Sequence, residues 1–282
     1  MPHQNEEAGK QKVKVAFQGE KGAYSESAVY KFFGESVTVV PCRDLTETFE
    51  SVTKKEAEYG VVPIENSIEG SVNQTYDLFL KYDLKVRGEV IIKIEHCLIA
   101  NPNTNLDAVE TVFSHPQALA QCRNFLEKSG WELIPTYDTA GSVKMLKEKG
   151  MKNAVAVASE RAAELYEMKI IARDIADNPE NYTRFFVLSK EDAATTGKDK
   201  TSIIFSAAHK PGSLYSALGE FAKRGINLTR IESRPTKQKP WEYNFYLDFE
   251  GHRSEPRCAE VLGALSEYAV FVKILGSYPR AA

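Results

Sequence analysis

Four cysteines, Cys42, Cys97, Cys122 and Cys258, are scattered through the chain with no C-x-x-C pair among them. That pattern fits buried thiols and gives no support to disulfides, a metal site or redox chemistry. Long apolar runs are missing as well: none reaches the roughly 20 residues that a spanning helix needs. The polar stretch at residues 1–12 has no signal-peptide core, so a cytoplasmic protein is expected. Neither sign of charge dominates. With 36 Lys and Arg against 39 Asp and Glu, a net charge of −3, there is no electrostatic case for nucleic acid or an anionic membrane. Gly19 and Gly22 are spaced G-x-x-G, which fits neither the dinucleotide fingerprint nor the phosphate loop, and no G-x-S-x-G elbow or H-E-x-x-H helix occurs. His3, His96, His209 and His252 show no ligand spacing, and only His115 falls at a candidate site. No metal, nucleotide or flavin cofactor is expected. Any reaction then has to run on side-chain acids, hydrogen bonds and positioning.

What is present is an ordinary globular balance, 43% hydrophobic and 27% charged, over 282 residues, enough for two domains with separate cores. From residue 13 to 189 strand and helix patterns alternate. Residues 13–18 read as a strand, followed by a turn at 19–22 and a helix whose Ala28, Val29, Phe32 and Phe33 form one apolar stripe before Gly34. A strand at 37–40 leads into Asp44, which with Glu47 fits a capping box ahead of Leu45, Phe49 and Val52. Strands at 59–64, 112–113, 132–134 and 154–158 each run into a helix, a mostly parallel α/β pattern. Val90, Ile92, Ile94, His96 and Leu98 alternate along one long extended segment, broken at Asn101-Pro102-Asn103. That segment and a return at 185–188 would cross twice between two lobes, giving a hinged cleft.

The strand-to-helix junctions carry the polar groups. Ser71 with Gln74, and Ser114 with Gln117 and a first-turn proline, read as capped helix starts, and Ser25 and Ser159 stand at helix starts too. Free N–H groups at such ends favour anions by about 0.3–1 kcal/mol each. A capping box alone is only a cap; the common placement after strands is what suggests a site. In Asn181-Tyr182-Thr183-Arg184-Phe185-Phe186-Val187-Leu188, a hydroxyl and a guanidinium stand just ahead of a strand-like run. Arg184 can grip a carboxylate through two parallel hydrogen bonds, and Thr183 can offer or accept a proton. The plain alternative is an edge-strand threonine beside a solvated arginine. With several helix ends at one cleft, the expected ligand is a small molecule with more than one negative charge.

Gly22-Ala23-Tyr24-Ser25, Pro63-Ile64-Glu65-Asn66-Ser67-Ile68-Glu69-Gly70-Ser71-Val72, Ser114-His115-Pro116-Gln117 and Tyr182-Thr183-Arg184-Phe185 together resemble the catalytic domain of prephenate dehydratases. The resemblance covers nearly all of residues 13–188. It implies two lobes like those of periplasmic ligand-binding proteins, with an active site between them. It also implies loss of water and carbon dioxide from prephenate, giving phenylpyruvate on the route to phenylalanine. Prephenate is a dianion whose aromatisation expels the ring carboxylate once the ring hydroxyl is helped to leave, so no electron sink is required. A positioned acid contributes about 10²–10⁴-fold. The family's essential threonine corresponds to Thr183, a proton donor to the leaving hydroxyl. An alcohol is a very weak acid, so donation within a relay is the expected form, with His115 as second candidate acid because its reference pKa is about 6.5. The implied substrate-binding positions are Ser25, Asn66, Ser67, Gly70, Ser71, Gln117, Ser159, Arg184 and Phe185.

Residues 191–200 are small and polar and read as a linker. Beyond them come a strand at 201–208, a helix at 213–224 ended by Gly225, strands at 226–234 and 242–249 around a loop at 236–240, a helix at 256–268 and a strand at 270–275. That order is the ferredoxin-like β-α-β-β-α-β fold. The segment resembles an ACT domain, a small amino-acid-sensing module. Glu232-Ser233-Arg234-Pro235 reproduces the family's regulatory motif, while Lys210-Pro211-Gly212-Ser213-Leu214-Tyr215 stands in place of Gly-Ala-Leu-Val, with Ser213 for Ala and Tyr215 for Val. The implied effector is phenylalanine, bound by Pro211, Gly212, Ser213, Leu214, Asn227, Glu232, Ser233 and Arg234. Helix-start N–H groups would take its carboxylate and Asn227 would accept from its ammonium; the alternative is a loop packed for dimerisation without a ligand. A module of about 80 residues leaves a sheet edge to cover, so a homodimer or homotetramer is expected. The whole reads as a catalytic domain at 13–190, a linker at 191–200 and an ACT domain at 201–279. The dozen residues ahead of the first strand leave no room for chorismate mutase helices, which points to a monofunctional enzyme. Two further readings stay open, an arogenate dehydratase acting on the transaminated substrate and a non-catalytic amino-acid sensor.

Overall fold

The structure, a computed structural model, describes residues 12–208, 210–237 and 241–281. His209, residues 238–240 of the expected loop and most of the polar start lie outside the described residues. In chain order, β1 (Lys14–Gln18) leads into α1 (Tyr24–Phe33), which stops at Gly34 as its apolar stripe predicts. β2 (Thr38–Cys42) precedes α2 (Leu45–Thr53), whose Asp44 cap accepts from the Glu47 amide. β3 (Tyr59–Asn66) folds back as the two-residue β4 (Gly70–Ser71) before α3 (Asn73–Lys81) and β5 (Lys85–Lys93). Next come β6 (Cys97–Ala100), β7 (Thr111–Ser114), α4 (Pro116–Gln121), α5 (Arg123–Leu126) and β8 (Glu132–Pro135). They are followed by α6 (Thr139–Lys149), β9 (Ala154–Ala158), α7 (Glu160–Leu165) and β10 (Lys169–Ala172). The chain closes with β11 (Tyr182–Ser189), β12 (Asp199–Ala207), α8 (Ser213–Lys223), β13 (Leu228–Pro235), β14 (Tyr243–Glu250), α9 (Pro256–Tyr268) and β15 (Ala269–Pro279).

Three sequence expectations need correction. Ser71 does not cap α3: it belongs to β4, opposite Glu65, and Val72 holds the cap position without a side-chain bond. Ser114 is the buried last residue of β7, its hydroxyl spent on the Val157 carbonyl at 2.6 Å, so His115 caps α4 instead. The alternating run from Val90 to Leu98 is two strands, β5 and β6, parted at 94–96 where the Ile94 amide turns to the Asn181 carbonyl at 2.8 Å.

The fold divides into two compact units, Met1–Val61 with Lys93–Asn181 and Val62–Ile92 with Tyr182–Ala282. In the first, β1 runs parallel to β2 and to the start of β3. A second sheet has the order β10-β6-β9-β7-β8, with β7 parallel to β8 and β9 and with β6 and β10 antiparallel. Its central strand β9 is wholly buried, and Val155 and Val157 join Val112, Leu119 and Leu126 in one core.

In the second unit, β3, β11 and β5 are neighbours in that order. The antiparallel sheet β13-β14-β12-β15, crossed by α8 and α9, has the ferredoxin-like order expected. One face of this sheet carries Ile203, Phe205, Leu247 and Phe249 into a core with Phe221, Val261 and Leu265 of the helices. Tyr246 and Asp248 alternate to the other face, which is covered by residues 62–92 and β11. There the Tyr246 hydroxyl donates to the Tyr76 carbonyl at 3.1 Å and Tyr278 stands edge-on to Phe186. β15 approaches β5 so closely at Gly276 that a Cβ would lie 2.2 Å from the Val86 carbonyl oxygen.

Candidate active site

Within the second unit, β11 and the turn after β3 bring Asn66, Ser67 and Thr183 together. Asn66 is 6% exposed, and its Oδ1 accepts from the amides of Ile68 and Glu69, each at 3.0 Å. Two amide donors on one end fix that end as oxygen, so the nitrogen faces Thr183. Nδ2 donates to Thr183 Oγ1 at 3.0 Å and to the Tyr182 carbonyl at 3.2 Å. Because an amide nitrogen only donates, the Thr183 hydroxyl accepts here and keeps its own hydrogen to give to another group. Ser67 ties the turn to β11: its amide donates to the Tyr182 carbonyl at 2.8 Å, and its Oγ accepts from the Tyr182 amide at 2.9 Å. Gly70 and Ser71 form β4 beside them, and the Ser71 hydroxyl accepts from Arg230 at 2.6 Å. Phe185, 2% exposed, is a core residue of the same strand.

Arg184 departs from the expected role. Successive strand residues face opposite sides, so Arg184 points away from Thr183. Its Nε donates to Glu89 at 2.7 Å, Nη1 to Asp248 at 2.7 Å and Nη2 to the Tyr278 hydroxyl at 3.1 Å. Each of its three nitrogens is bonded to a protein group on the face of β11 opposite Thr183, so the expected carboxylate grip is not directed to the Thr183 hydroxyl. The surroundings are balanced: Lys200 bonds the second Glu89 oxygen at 2.9 Å, and Ser202 bonds both Asp248 and Tyr278. Burial alone would lower the Arg184 pKa, but Asp248, Tyr278 and Glu89 outweigh it and raise it overall. Burial, with Asp248 beside it, holds the Tyr278 phenol well above its usual value, so it stays protonated. No motif marks these partners; the one sequence signal is the charged Asp248 amid the strand-like Tyr246-Leu247-Asp248-Phe249.

In the first unit, Gly22 is gripped from two sides. The Ser159 hydroxyl donates to its carbonyl at 2.6 Å and accepts from the Ala162 amide at 3.1 Å, which caps α7 as predicted. Glu26, 2% exposed, accepts from the Gly22 amide at 2.8 Å and from Arg161 at 3.0 Å. A Cβ on Gly22 would sit 2.9 Å from the Ala162 Cα at φ +91°, which excludes any other residue without a shift. Ser25 is buried in the first turn of α1. His115 accepts the Gln117 amide on Nδ1 at 3.3 Å, which leaves its hydrogen on Nε2, and burial lowers its pKa. At neutral pH it is an uncharged donor.

The first unit also holds a buried histidine that no motif marks. His96, 2% exposed, has Nδ1 2.9 Å from the Tyr24 hydroxyl and Nε2 3.0 Å from Gln121 Oε1, which also accepts from Asn181 at 2.9 Å. Lone histidines carry no spacing signal. Its place in the alternating run from Val90 was the available clue.

The predicted effector residues are only partly assembled. Pro211, Ser213 and Leu214 line a cavity of about 550 Å³ with Lys210, Trp241 and Tyr243. Gly212 caps the start of α8, and the Asn227 carbonyl accepts from the Glu250 amide at 3.0 Å. Glu232 and Arg234 share the β13 face with Arg230, and Glu232 lies 3.7 Å from the Arg230 guanidinium. Ser233 alternates to the opposite face. Among the described residues, Glu232, Ser233 and Arg234 are not part of the lining of that cavity. The four cysteines are buried and free, and no helix among the described residues is long and apolar enough to cross a membrane.

A threonine hydroxyl clamped by an asparagine on an α/β scaffold, with a ferredoxin-like module packed behind its strand, places the chain among α/β enzymes that carry such a module. Residues 15–193 match the family described as prephenate dehydratase, and residues 201–268 match the ACT domain. The chain is 47% identical over 273 residues to the bifunctional chorismate mutase/prephenate dehydratase of Aquifex aeolicus (strain VF5), spanning 96% of this chain and 74% of that relative. A solved prephenate dehydratase from Arthrobacter aurescens in complex with L-Phe superposes with a TM-score of 0.86 at 33% identity, over 95% of this chain and 90% of that one. The structure of GqqA, described as a novel type of quorum quenching acylase, gives a TM-score of 0.86 at 35% identity over 95% and 98% of the two chains. The chain belongs to the prephenate dehydratase family and carries a C-terminal ACT domain.

Proposed function

We propose that this protein converts prephenate to phenylpyruvate and that Thr183 assists the departing hydroxyl. The observation that carries the reading is the Asn66 clamp, which fixes Thr183 Oγ1 as an acceptor at 3.0 Å and leaves its hydrogen for a ligand. A hydrogen bond donated to the ring hydroxyl strengthens as the C–O bond breaks and negative charge develops on oxygen. The electrons of the bond to the ring carboxylate then close the aromatic ring, carbon dioxide leaves, and one proton completes the water. A threonine hydroxyl is too weak an acid to supply that proton alone, so it hands on a proton through a relay. The supporting arrangement is a catalytic segment at 13–190, a linker at 191–200 and a phenylalanine-sensing ACT domain at 201–279. Two copies pair through ACT surfaces that expose Tyr215, Trp241 and Val270, as a homodimer or a homotetramer. Four free thiols fit a reducing cytoplasm.

Purified protein assayed with prephenate, and in parallel with arogenate, tests the reading. Turnover of prephenate is expected, and Thr183→Ala should lower kcat by at least about 10²-fold in a protein that still folds. Normal turnover by that variant rejects the Thr183 assignment. His115→Asn tests the competing acid: loss of an acid limb in the pH–rate profile that Thr183→Ala retains would exchange the two roles. Turnover confined to arogenate would move the substrate and keep the chemistry.

A further inference from the structure

We propose that Arg184 is a positioning residue, locked by Glu89 and Asp248, that sets the Thr183 hydroxyl and so makes the C-terminal sheet a working part of the reaction site. The inference rests on Thr183 acting in the reaction. Arg184 is its direct neighbour on β11, and the peptide plane between them is shared. The guanidinium is tethered in three directions, to Glu89 on β5, Asp248 on β14 and Tyr278 on β15. The side chains of Glu89 and Asp248 are 0% and 5% exposed, so no water stands ready to replace a lost partner. Removing the Asp248 charge leaves Arg184 with Glu89 and with Glu65, 3.8 Å from the same Nη1, so the arginine must move toward Glu65 to replace the lost hydrogen bond. A shift of that side chain turns the β11 backbone, and Thr183 turns with it against a fixed Asn66. Errors of about 1 Å in the placement of a reacting group are enough to cost about 10²-fold in rate. Two of the three tethers come from the C-terminal sheet, so the module enters the site through side chains and not through a linker.

The test uses the full chain and the near-isosteric Asp248→Asn, which removes one charge and little volume. With prephenate, kcat should fall at least about 10-fold while KM stays within about 3-fold, the pattern of lost transition-state alignment. Arg184→Lys should match it, and the double variant should be no slower than the slower single one, since both break the same contact. A rise in KM of about 10-fold with kcat unchanged would mean that Arg184 touches substrate, and additive losses would mean that the two residues act separately; either overturns the proposal. So does a lowered Tm with an unaltered kcat, which is what a purely structural cluster gives. Amide hydrogen exchange supplies a readout independent of turnover: residues 182–186 should exchange faster in Asp248→Asn while β9 is unchanged. If the unaltered protein does not act on prephenate, the proposed function fails while this exchange still decides the present inference. Unchanged exchange at 182–186 rejects it.

Discussion

His96 is held between Tyr24 and Gln121, and burial, only partly offset by the Gln121 hydrogen bond, keeps its pKa below the ordinary value. His115 is shifted the same way by burial. A histidine whose folded pKa lies below its unfolded value of about 6.5 binds fewer protons in the fold than in the unfolded chain. Its contribution is complete above that unfolded value and is lost as pH falls through the folded one. Each proton taken up on unfolding adds a slope of about 1.4 kcal/mol per pH unit. Unfolding followed by denaturant at pH 7.5 and 5.5 should therefore show lower stability at the acid end, and His96→Asn should reduce that difference. An unchanged difference would assign the acid sensitivity to other groups. At this scale the sequence spoke unevenly. The motifs name Asn66, Ser67 and Thr183, which the structure brings together, but give no sign of the Arg184 partners, which lie 95 and 64 residues away in the chain.

β5 and β15 meet backbone to backbone, and Gly276 is what permits it. Gly276→Ala places a methyl 2.2 Å from the Val86 oxygen and 2.9 Å from the Val86 nitrogen, main-chain atoms that cannot swing aside. Overpacking of this kind costs about 1–3 kcal/mol, and a lowered urea midpoint with an unchanged m-value is the expected outcome. Unaltered stability would mean that the two strands separate at no cost. Elements with their own stop signals were readable in advance: α9 starts at Pro256 and ends at Tyr268, and α1 ends at Gly34. Ser71 was misread because S-x-x-Q describes a cap only where the chain enters a helix directly. Here the pairing of Glu65 and Asn66 with β4 takes up those residues first. Periodicity likewise could not reveal the break at 94–96, since the side chains keep alternating across it.

At the scale of the molecule, the cavity beside α8 offers a direct optical probe. Trp131 and Trp241 are the only tryptophans of the chain, and Trp241 lines the cavity while 79% exposed. If phenylalanine binds there, the Trp131→Phe variant should show a saturable fluorescence change on titration, and ligand at 100 times its Kd should stabilise the protein by about 2.7 kcal/mol. A flat titration with an unmoved Tm would remove the cavity from the effector reading. The ferredoxin-like order was visible in the sequence, but the packing of its open face on residues 62–92 was not, because no local pattern announces which distant segment a sheet will cover. That packing has a consequence for biosynthesis. Arg184 leaves the ribosome 94 residues ahead of Tyr278, an interval of roughly 5–20 s at ordinary elongation rates. For the first 64 residues of it the arginine has Glu89 alone, Asp248 follows and Tyr278 comes last, so the strand bearing Thr183 gains its remaining tethers only well after its own synthesis.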